Sequence, residues 1–311
     1  MKEIKIDFVD FWPGFDKTNN YFYNILIEKY KVIIDDKPDF LFYSCYGKDY
    51  LNYKCIRIFY SAENLRPDFS ACDFAFSFDY NNRNNHFRLP LYSLYVEKRN
   101  MQETIESVLT RVEAEKKWRA KTKFCCMLVS NPKATKRLKF FKNLSKVKQV
   151  DSGGTVLNNV GGPVYDKLDF IKDYKFVIAF ENSQYDGYTT EKLIEPIFKD
   201  CIPIYWGNKL VEVDFNPNRI LNYSQFKSEK ELIDRIVEID QNDELAIQML
   251  MQPVFSLDRV SYEEERQQVL AVLNQIFESV GKPIAQQPWK YIHLLKEYYI
   301  INKKRVLRRL N

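Results

Sequence analysis

Glycine and histidine are scarce in this chain, and several motifs of common enzymes are absent from its sequence. There are nine glycines and two histidines, His86 and His293, in 311 residues. With so few histidines, neither a Ser-His-Asp triad nor a histidine-rich metal site is expected. The sequence has no G-x-x-x-x-G-K-[ST] loop and no G-x-G-x-x-G fingerprint, which argues against a P-loop NTPase and a standard dinucleotide enzyme.

Long apolar runs and C-x-x-C pairs are missing as well. No stretch approaches the roughly 18 apolar residues that span a bilayer, and no signal peptide is visible, so the sequence predicts a cytoplasmic protein. The chain has six cysteines, of which Cys125 and Cys126 lie in an apolar run. Buried free thiols are therefore favoured over disulfides.

Positive charge is concentrated at the end of the sequence. Residues 289–311 contain seven Lys or Arg and one Glu, whereas the preceding 288 residues contain 40 basic and 41 acidic side chains. This distribution argues against a protein that binds nucleic acid. Apolar and aromatic residues alternate with the basic ones, which suits either a helix on an anionic membrane surface or a helix packed on the protein. We expect a mixture, in which the apolar part docks on protein and the basic end reaches the inner membrane surface.

Strand-like and helix-like segments alternate in both halves of the chain. Runs of aromatic and β-branched residues predict strands, for example at 4–11, 56–63, 124–130, 175–182 and 201–207. Helical spacing is found between them, as at 103–118 and 190–199. The alternation predicts an α/β fold of two doubly wound, Rossmann-like domains facing a central cleft, with a helical C-terminus. A charged stretch at 116–123 suggests the boundary, which gives domains 1–120 and 121–285 and a basic amphipathic tail, 286–311.

The densest polar cluster lies in residues 176–207. Five of the nine glycines fall between Gly153 and Gly187, and glycine is favoured where backbone approaches a ligand. An apolar strand leads through polar residues to an amphipathic helix, and open α/β sheets bind ligands at the carboxyl ends of their strands. The free amides at the helix start and the ammonium of Lys192 favour an anion. In the alternative interpretation, Lys192 is a solvated side chain and Glu191 stabilises the helix dipole.

Two further polar groups follow predicted strands. Ser130 and Asn131 open a helix that carries Arg137, whose guanidinium could hold a diphosphate with two parallel hydrogen bonds. Glu63 ends a strand of the first domain, where it could deprotonate an incoming hydroxyl; a helix cap or a salt bridge is the structural alternative. A carboxylate opposite a diphosphate clamp is what an inverting glycosyl transfer requires.

These segments together resemble the α-1,3-fucosyltransferase family, and its bacterial members in particular. The matching text is F-E-N-S at 180–183, Y-T-T-E-K at 188–192, I-P-I-Y-W-G at 202–207, S-A-E-N at 61–64 and S-N-P at 130–132. The resemblance implies a GT-B architecture with an acceptor-binding first domain and a GDP-fucose-binding second domain. It also implies inverting transfer of L-fucose from GDP-β-L-fucose to the 3-hydroxyl of a GlcNAc-containing glycan of the N-acetyllactosamine type, the reaction that forms Lewis-type glycans.

The same resemblance implies roles for individual residues. Glu63 matches the general base, and Arg137 and Lys192 match contacts to the diphosphate. The remaining donor-binding residues that it implies are Ser130, Asn131, Asn182, Tyr188 and, toward the sugar hydroxyls, Glu191. Glu181 matches a supporting partner in the same strand end, and Trp12 aligns loosely with an aromatic segment near the acceptor.

Two departures from the bacterial relatives limit what the resemblance implies. The leucine-rich heptad repeats linked to their dimerisation are absent, so the oligomeric state stays open. No D-x-D motif accompanies the nucleotide-binding segment, so neither a metal nor another cofactor is expected, with Arg137 and Lys192 supplying the charge instead. A transferase of another nucleotide sugar and a carbohydrate-binding protein without catalysis are the alternatives; the exact acceptor and a 1,3 or 1,4 linkage are left undecided.

Overall fold

Two parallel β-sheets organise the described part of the chain. The computed structural model describes residues 1–279 and 281–286, together with Leu295 and Tyr299. These residues form two compact units: the first comprises residues 1–89 and the described residues from Glu263 onward, and the second comprises Pro90–Tyr262. Each unit contains one of the two sheets.

Strands and helices alternate along the described chain. In chain order the strands are β1 (Lys2–Val9), β2 (Tyr30–Ile34), β3 (Phe40–Tyr43), β4 (Ile56–Tyr60), β5 (Phe74–Ser77), β6 (His86–Arg88), β7 (Lys123–Met127), β8 (Val150–Ser152), β9 (Tyr174–Phe180), β10 (Ile202–Trp206) and β11 (Leu221–Asn222). The α-helices are α1 (Tyr21–Leu26), α2 (Leu91–Lys98), α3 (Gln102–Glu106), α4 (Arg111–Arg119), α5 (Thr135–Ser145), α6 (Lys167–Ile171), α7 (Glu191–Phe198), α8 (Glu229–Gln241), α9 (Asp243–Leu250) and α10 (Tyr262–Glu278). Short 3-10 helices are formed by Asp49–Asn52, Val211–Val213, Pro217–Arg219, Tyr223–Gln225 and Ile284–Gln286.

The sheet of the first unit has the strand order β2-β1-β3-β4-β5-β6, and its pairings are parallel. Phe8 of β1 stacks on Phe42 of β3 with ring centroids 5.0 Å apart, and Phe22 of α1 packs on Phe42 from one face. These aromatic side chains suit a parallel sheet whose faces are covered by crossover connections. Because the strands are parallel, the carboxyl ends of β1, β3 and β4 lie side by side at one edge.

The sheet of the second unit has the order β11-β10-β9-β7-β8 and is also parallel. Its central strand, β9, is buried along nearly its whole length, as expected for a strand covered on both faces. Phe176 packs on Trp118 of α4, with ring centroids 5.9 Å apart, and Phe180 packs on Phe140 of α5 at 5.0 Å. The core therefore fixes the end of β9, where the polar cluster of residues 181–192 begins.

The two units do not divide at residue 120, where the charged stretch suggested a boundary. Helices α2, α3 and α4 belong to the second unit, and the residues from Glu263 return to the first. Trp118 explains the first difference: it is fully buried, and its indole donates to Asp243 at 2.7 Å. The second follows from α10, where the amide oxygen of Asn274 accepts from the hydroxyl of Tyr30 at 2.6 Å. The charged stretch therefore contains the end of a packed helix, the buried Lys121 and the start of β7, and is not a linker.

Several elements differ from the sequence-based expectations. The helix expected at 103–118 is two helices, α3 and α4, because Thr110 and Glu113 form a capping box that starts the second. All six cysteines are free, and four of them are buried, which confirms the expectation of thiols. Among the described residues no helix is both long and apolar enough to cross a membrane. The tail expected at 286–311 lies outside the described residues except for Gln286, Leu295 and Tyr299.

Candidate functional site

The polar cluster begins where β9 ends and α7 starts. The amide of Glu181 donates to the carbonyl of Trp206 at 2.7 Å, which extends the pairing of β9 with β10 by one residue. Its carboxylate is only 1% exposed and accepts from the Thr190 amide at 2.7 Å and the Thr190 hydroxyl at 2.8 Å. Thr190 is also the N-cap of α7, the position at which a hydroxyl satisfies free helix amides. Glu181 and Thr190 therefore fasten the start of the helix to the end of the strand.

Lys192 is held against this pair in the first turn of α7. Its ammonium lies 3.1 Å from the Thr190 hydroxyl, 3.2 Å from Glu191 Oε1 and 3.6 Å from Glu181 Oε2. Burial acts to lower the pKa of Lys192, but the negative charges of Glu181 and Glu191 outweigh it, so the pKa is raised. Lys192 is thus a charged ammonium in a defined place rather than a freely solvated side chain.

The two carboxylates around Lys192 respond differently to burial. Burial raises the pKa of Glu181, Glu191 raises it further, and Lys192 offsets only part of the increase. For Glu191, burial also acts to raise the pKa, but Lys192 and Lys167 outweigh it, so the pKa is lowered. Glu191 is therefore a stable anion at neutral pH, held between two cations.

Arg137 reaches the same strand end from α5. It is 3% exposed; its guanidinium donates to the carbonyl of Phe180 and, at 3.2 Å, to the side-chain oxygen of Asn182. Burial lowers the pKa of Arg137, and the charges of Glu181 and Glu191 oppose the decrease. Its Nε is buried and has no hydrogen-bond partner among the described residues. The structure thus brings Arg137 and Asn182 together beside the Glu181–Lys192 group.

The loop before α7 is held by a residue that sequence reasoning missed. Asn208, only 1% exposed, accepts from the amide of Gly187 at 2.7 Å and donates to the Thr189 hydroxyl at 3.1 Å. Gly187 has a φ of +86°, which glycine adopts without strain. Tyr188, between these anchored residues, is buried at 3% exposure. The signal was present in the sequence, because Asn208 directly follows the I-P-I-Y-W-G strand.

Sequence reasoning also missed a group of charged residues beside Glu191. Lys167 at the start of α6 forms an ion pair with Glu195 and lies 3.9 Å from Glu191. Glu195 is 1% exposed, and Arg99 approaches it at 3.8 Å. Burial, together with the charges of Glu191 and Glu195, raises the pKa of Tyr95 to about 12. These partners are distant in sequence, and no local sequence pattern predicts their contacts.

Ser130 and Asn131 lie in the turn after β7, on exposed positions. The side-chain oxygen of Asn131 accepts from the amide of Lys133 at 3.0 Å, a local bond that shapes the turn. The structure therefore places these two predicted donor-binding residues after the carboxyl end of β7, and no hydrogen bond or ion pair between described residues joins their side chains to Arg137.

Glu63 and Trp12 belong to the first unit. Glu63 is exposed three residues after β4, and its Oε1 accepts from the hydroxyl of Tyr46 at 2.8 Å. Trp12 follows β1 and packs edge-on against Phe11 and Phe15, with centroids 5.6 and 5.0 Å apart. Both predicted residues thus follow the carboxyl ends of strands of the same parallel sheet, β4 for Glu63 and β1 for Trp12.

A cavity of about 730 Å³ lies at the opposite edge of that sheet. Its lining includes Lys2, Phe40 and Ile56, the first residues of β1, β3 and β4, whereas ligands of open α/β sheets bind at the carboxyl ends. None of the candidate residues lines it. Among the described residues, no group of three or more His, Cys, Asp or Glu is arranged as a metal site.

Solved structures define the class of protein. A crystal structure of an α1,3-fucosyltransferase matches with a TM-score of 0.79 at 28% identity, over 92% of each chain. A structure of α1,3-fucosyltransferase with GDP-fucose matches with a TM-score of 0.76 at 27% identity, over 90% of this chain and 92% of the other. The Anabaena protein Alr3699/HepE in complex with UDP-glucose shares the fold alone, with a TM-score of 0.53 and 8% identity over 88% of this chain and 100% of the other. The chain has the α/β fold of a GT-B glycosyltransferase.

Sequence comparison defines the family. Residues 6–95 match the α-(1,3)-fucosyltransferase FucT N-terminal domain, and residues 118–250 match the C-terminal part of glycosyltransferase family 10 (fucosyltransferase). The α-(1,3)-fucosyltransferase FucT of Helicobacter pylori is 32% identical over 300 residues, which cover 84% of this chain and 62% of that protein. A putative fucosyltransferase of Acanthamoeba polyphaga mimivirus is 36% identical over 157 residues, 45% of this chain and 26% of that one. The chain belongs to the α-1,3-fucosyltransferase family. It spans less than two thirds of the length of each of these two curated relatives.

Proposed function

We propose that this chain transfers L-fucose from GDP-β-L-fucose to the 3-hydroxyl of a GlcNAc-containing glycan of the N-acetyllactosamine type. Its family and the related structures with GDP and with GDP-fucose support the donor. The observation that carries the proposal is the placement of Arg137 and Lys192, two cations held beside the same strand end and helix start. A carbohydrate-binding protein without catalysis has no need of such a pair.

The donor is proposed to bind with its diphosphate between these two cations. Arg137 offers further donors of its guanidinium, and Lys192 and the first turn of α7 add positive charge. When Lys192 turns toward a phosphate, its contact with Glu191 weakens. Glu191, still paired with Lys167, can then accept hydrogen bonds from hydroxyls of the fucose. Asn182 and Tyr188 complete the phosphate contacts in this proposal, and Ser130 and Asn131 extend the donor-binding surface.

The proposed reaction is a direct displacement with inversion at the anomeric carbon. Glu63 takes the proton from the acceptor hydroxyl as that oxygen bonds to C1 of fucose. The bond between C1 and the β-phosphate oxygen breaks, and GDP departs with the electron pair. Arg137 and Lys192 stabilise the charge that develops on the diphosphate, so we infer that no divalent metal is required. Full activity in excess EDTA would support this inference, and loss of activity that Mn²⁺ restores would contradict it.

A pair of substitutions tests the two halves of the proposal. Lys192→Ala should weaken GDP binding by about 1.5–3 kcal/mol, the scale of a charge-assisted hydrogen bond. Glu63→Ala should abolish transfer and leave GDP affinity within about threefold, because a base acts on the acceptor. Isothermal titration calorimetry with GDP and a transfer assay measure the two effects.

The matched control is Lys172→Ala, which removes an exposed lysine of the second unit that pairs with Asp169. Its GDP affinity should equal that of the wild type. A Lys192 variant that binds GDP normally would remove the diphosphate assignment. A Glu63 variant that loses GDP affinity would show that Glu63 is not simply a base.

A protein hydroxyl is a second candidate acceptor. The GDP-fucose protein O-fucosyltransferase 3 of Xenopus laevis is 34% identical over 123 residues, which cover 36% of this chain. Product analysis with N-acetyllactosamine, its β1,3-linked isomer and a Ser- or Thr-containing peptide separates the acceptors and the 1,3 and 1,4 linkages. Transfer from GDP-mannose or a UDP-sugar in preference to GDP-fucose would overturn the donor.

Peripheral binding to an anionic membrane is proposed from sequence for the basic tail alone. Its charge is sufficient for electrostatic attraction to anionic lipid, to which each basic residue near the surface adds about 1 kcal/mol. Co-sedimentation with anionic liposomes should be weaker for a version ending near residue 302 than for the full chain. Equal binding by both would remove this role.

A further inference from the structure

We propose that Tyr46 is a positioning residue, which orients the carboxylate of Glu63 for proton transfer. The inference rests on the proposed role of Glu63 as the base. The hydroxyl of Tyr46 donates to Glu63 Oε1 at 2.8 Å. No described residue donates to the other oxygen, Oε2, which leaves it available to an acceptor hydroxyl.

The topology of the sheet brings the two residues together. Strands β3 and β4 are parallel neighbours, and Tyr43 is paired with Phe59 near their carboxyl ends. Tyr46 follows the end of β3 by three residues and Glu63 follows the end of β4 by three residues. Because Tyr46 and Glu63 lie equally far beyond the ends of adjacent parallel strands, the phenol and the carboxylate lie side by side.

The loop that carries Tyr46 is fixed by Asp10. The carbonyl of Asp10 accepts from the amide of Tyr46 at 2.9 Å, and its carboxylate accepts from the amides of Asp49 and Tyr50 at 3.0 and 2.9 Å. A Cβ at Gly47 would lie 2.2 Å from Asp10 Oδ1, so only glycine fits this close approach. The phenol is thus attached to a rigid loop rather than to a mobile one.

The Glu63 loop is fixed in a similar way. Its amide donates to the Ser61 hydroxyl at 3.1 Å, and its carbonyl accepts from the amide of Leu65 at 2.6 Å. With the backbone held, the side-chain torsions of Glu63 are the remaining freedom, and one hydrogen bond from Tyr46 restricts them. A neutral phenol does this without placing a full positive charge beside the base.

The consequence is a loss of turnover, not of binding, when the phenol is removed. Tyr46→Phe should lower kcat about 10- to 100-fold, the scale of an error of about 1 Å in the placement of a reacting group. The KM for GDP-fucose and the affinity for GDP should stay within about threefold of wild type, because the proposed role of Tyr46 is to orient the base, which acts on the acceptor. Tyr46 is 47% exposed, so phenylalanine preserves the local packing.

Tyr53→Phe is the matched control. Tyr53 also donates its phenol to a carboxylate of the first unit, Asp7 Oδ2, at 3.3 Å, and Asp7 has no role in the proposed reaction. This variant should keep the wild-type kcat. An equal decrease in both variants would mean that the loss of any such hydrogen bond disturbs the unit, which would overturn the positioning role.

A double-mutant cycle separates this inference from the proposed function. Aspartate at position 63 is one methylene shorter and cannot reach Tyr46, so Tyr46→Phe should have no further effect in the Glu63→Asp variant. Additive losses would overturn the role of Tyr46. Glu63→Gln tests the base itself: if it retains transfer, the proposed function of Glu63 fails. If it is inactive while Tyr46→Phe keeps the wild-type kcat, only the inference about Tyr46 fails.

Discussion

Replacing Gly207 by alanine tests how closely the strand end and the helix start are packed. A Cβ at Gly207 would lie 2.5 Å from Cγ and 2.8 Å from Cβ of Glu181, well inside the favourable separation of two carbons. Glu181 cannot withdraw easily, because its amide is bonded to the carbonyl of Trp206 and its carboxylate to Thr190. The added methyl group must therefore displace one of these interactions.

The size of the effect follows from these contacts. Overpacking a filled core costs about 1–3 kcal/mol. If Glu181 moves away from Thr190, a hydrogen bond to a charged group, with a contribution of about 1.5–3 kcal/mol, is weakened as well. We expect Gly207→Ala to lower the free energy of unfolding by about 2–5 kcal/mol, a large part of the roughly 5–15 kcal/mol of a typical domain.

Urea unfolding and GDP calorimetry measure the outcome. The urea midpoint should fall, and GDP affinity should weaken, because Lys192 lies against the displaced carboxylate. Gly281→Ala is the matched control, since a Cβ at Gly281 meets no atom within 4 Å. The reasoning is refuted if Gly207→Ala unfolds at the wild-type midpoint and binds GDP normally.

Three further changes probe the surroundings of the site and the stability of its unit. Asn208→Ala should cost about 1–3 kcal/mol of stability and weaken GDP binding, because it leaves a buried amide without its acceptor; unchanged stability in urea would contradict this. Asp240→Asn should cost about 1–2 kcal/mol at pH 7. Burial acts to raise the pKa of Asp240, but bonds from two lysines outweigh it and lower the pKa, so the difference should close as the pH falls below about 4; a difference in urea midpoint that persists there would contradict the assignment. Glu181→Gln removes a charge that raises the pKa of Lys192. As the pH is raised, the variant should therefore begin to lose GDP affinity at a lower pH than the wild type does, and identical pH profiles would exclude this coupling.

Local patterns were sufficient to predict most of the sheet framework. Strands β4, β9 and β10 stand out as short apolar runs, and the parallel pairing of β9 with β10 follows from helix α7 between them. The same logic predicted part of the site, because polar residues after parallel strands meet at one edge. Arg137 and Asn182 lie 45 positions apart but form a hydrogen bond. This is expected because α5, which carries Arg137, follows β7, and Asn182 follows its parallel neighbour β9.

The remaining features depend on contacts between segments that are far apart in the sequence. Trp118 lies in a charged stretch that resembles a linker, yet its side chain is fully buried beside β9. Lys167 at the start of α6 and Arg99 just after the end of α2 approach Glu195, and neither has a distinctive sequence context. Such partners become recognisable only when the fold shows which buried carboxylate needs a cation.

Two carboxylates beside Lys192 are unexpected in a site that is proposed to bind an anion, but burial makes them necessary. The side chain of Lys192 is 22% exposed, and burial alone lowers its pKa, so without nearby negative charge the amine would be less firmly protonated. Glu181 and Glu191 reverse this effect and compete with the diphosphate for the same ammonium. Since Thr190 holds Glu181 in place, Lys192 is already restrained at the helix start, so less conformational entropy is lost when it turns toward the proposed diphosphate. In the proposed mechanism, this arrangement favours a restrained charge near the leaving group over the highest affinity for the nucleotide.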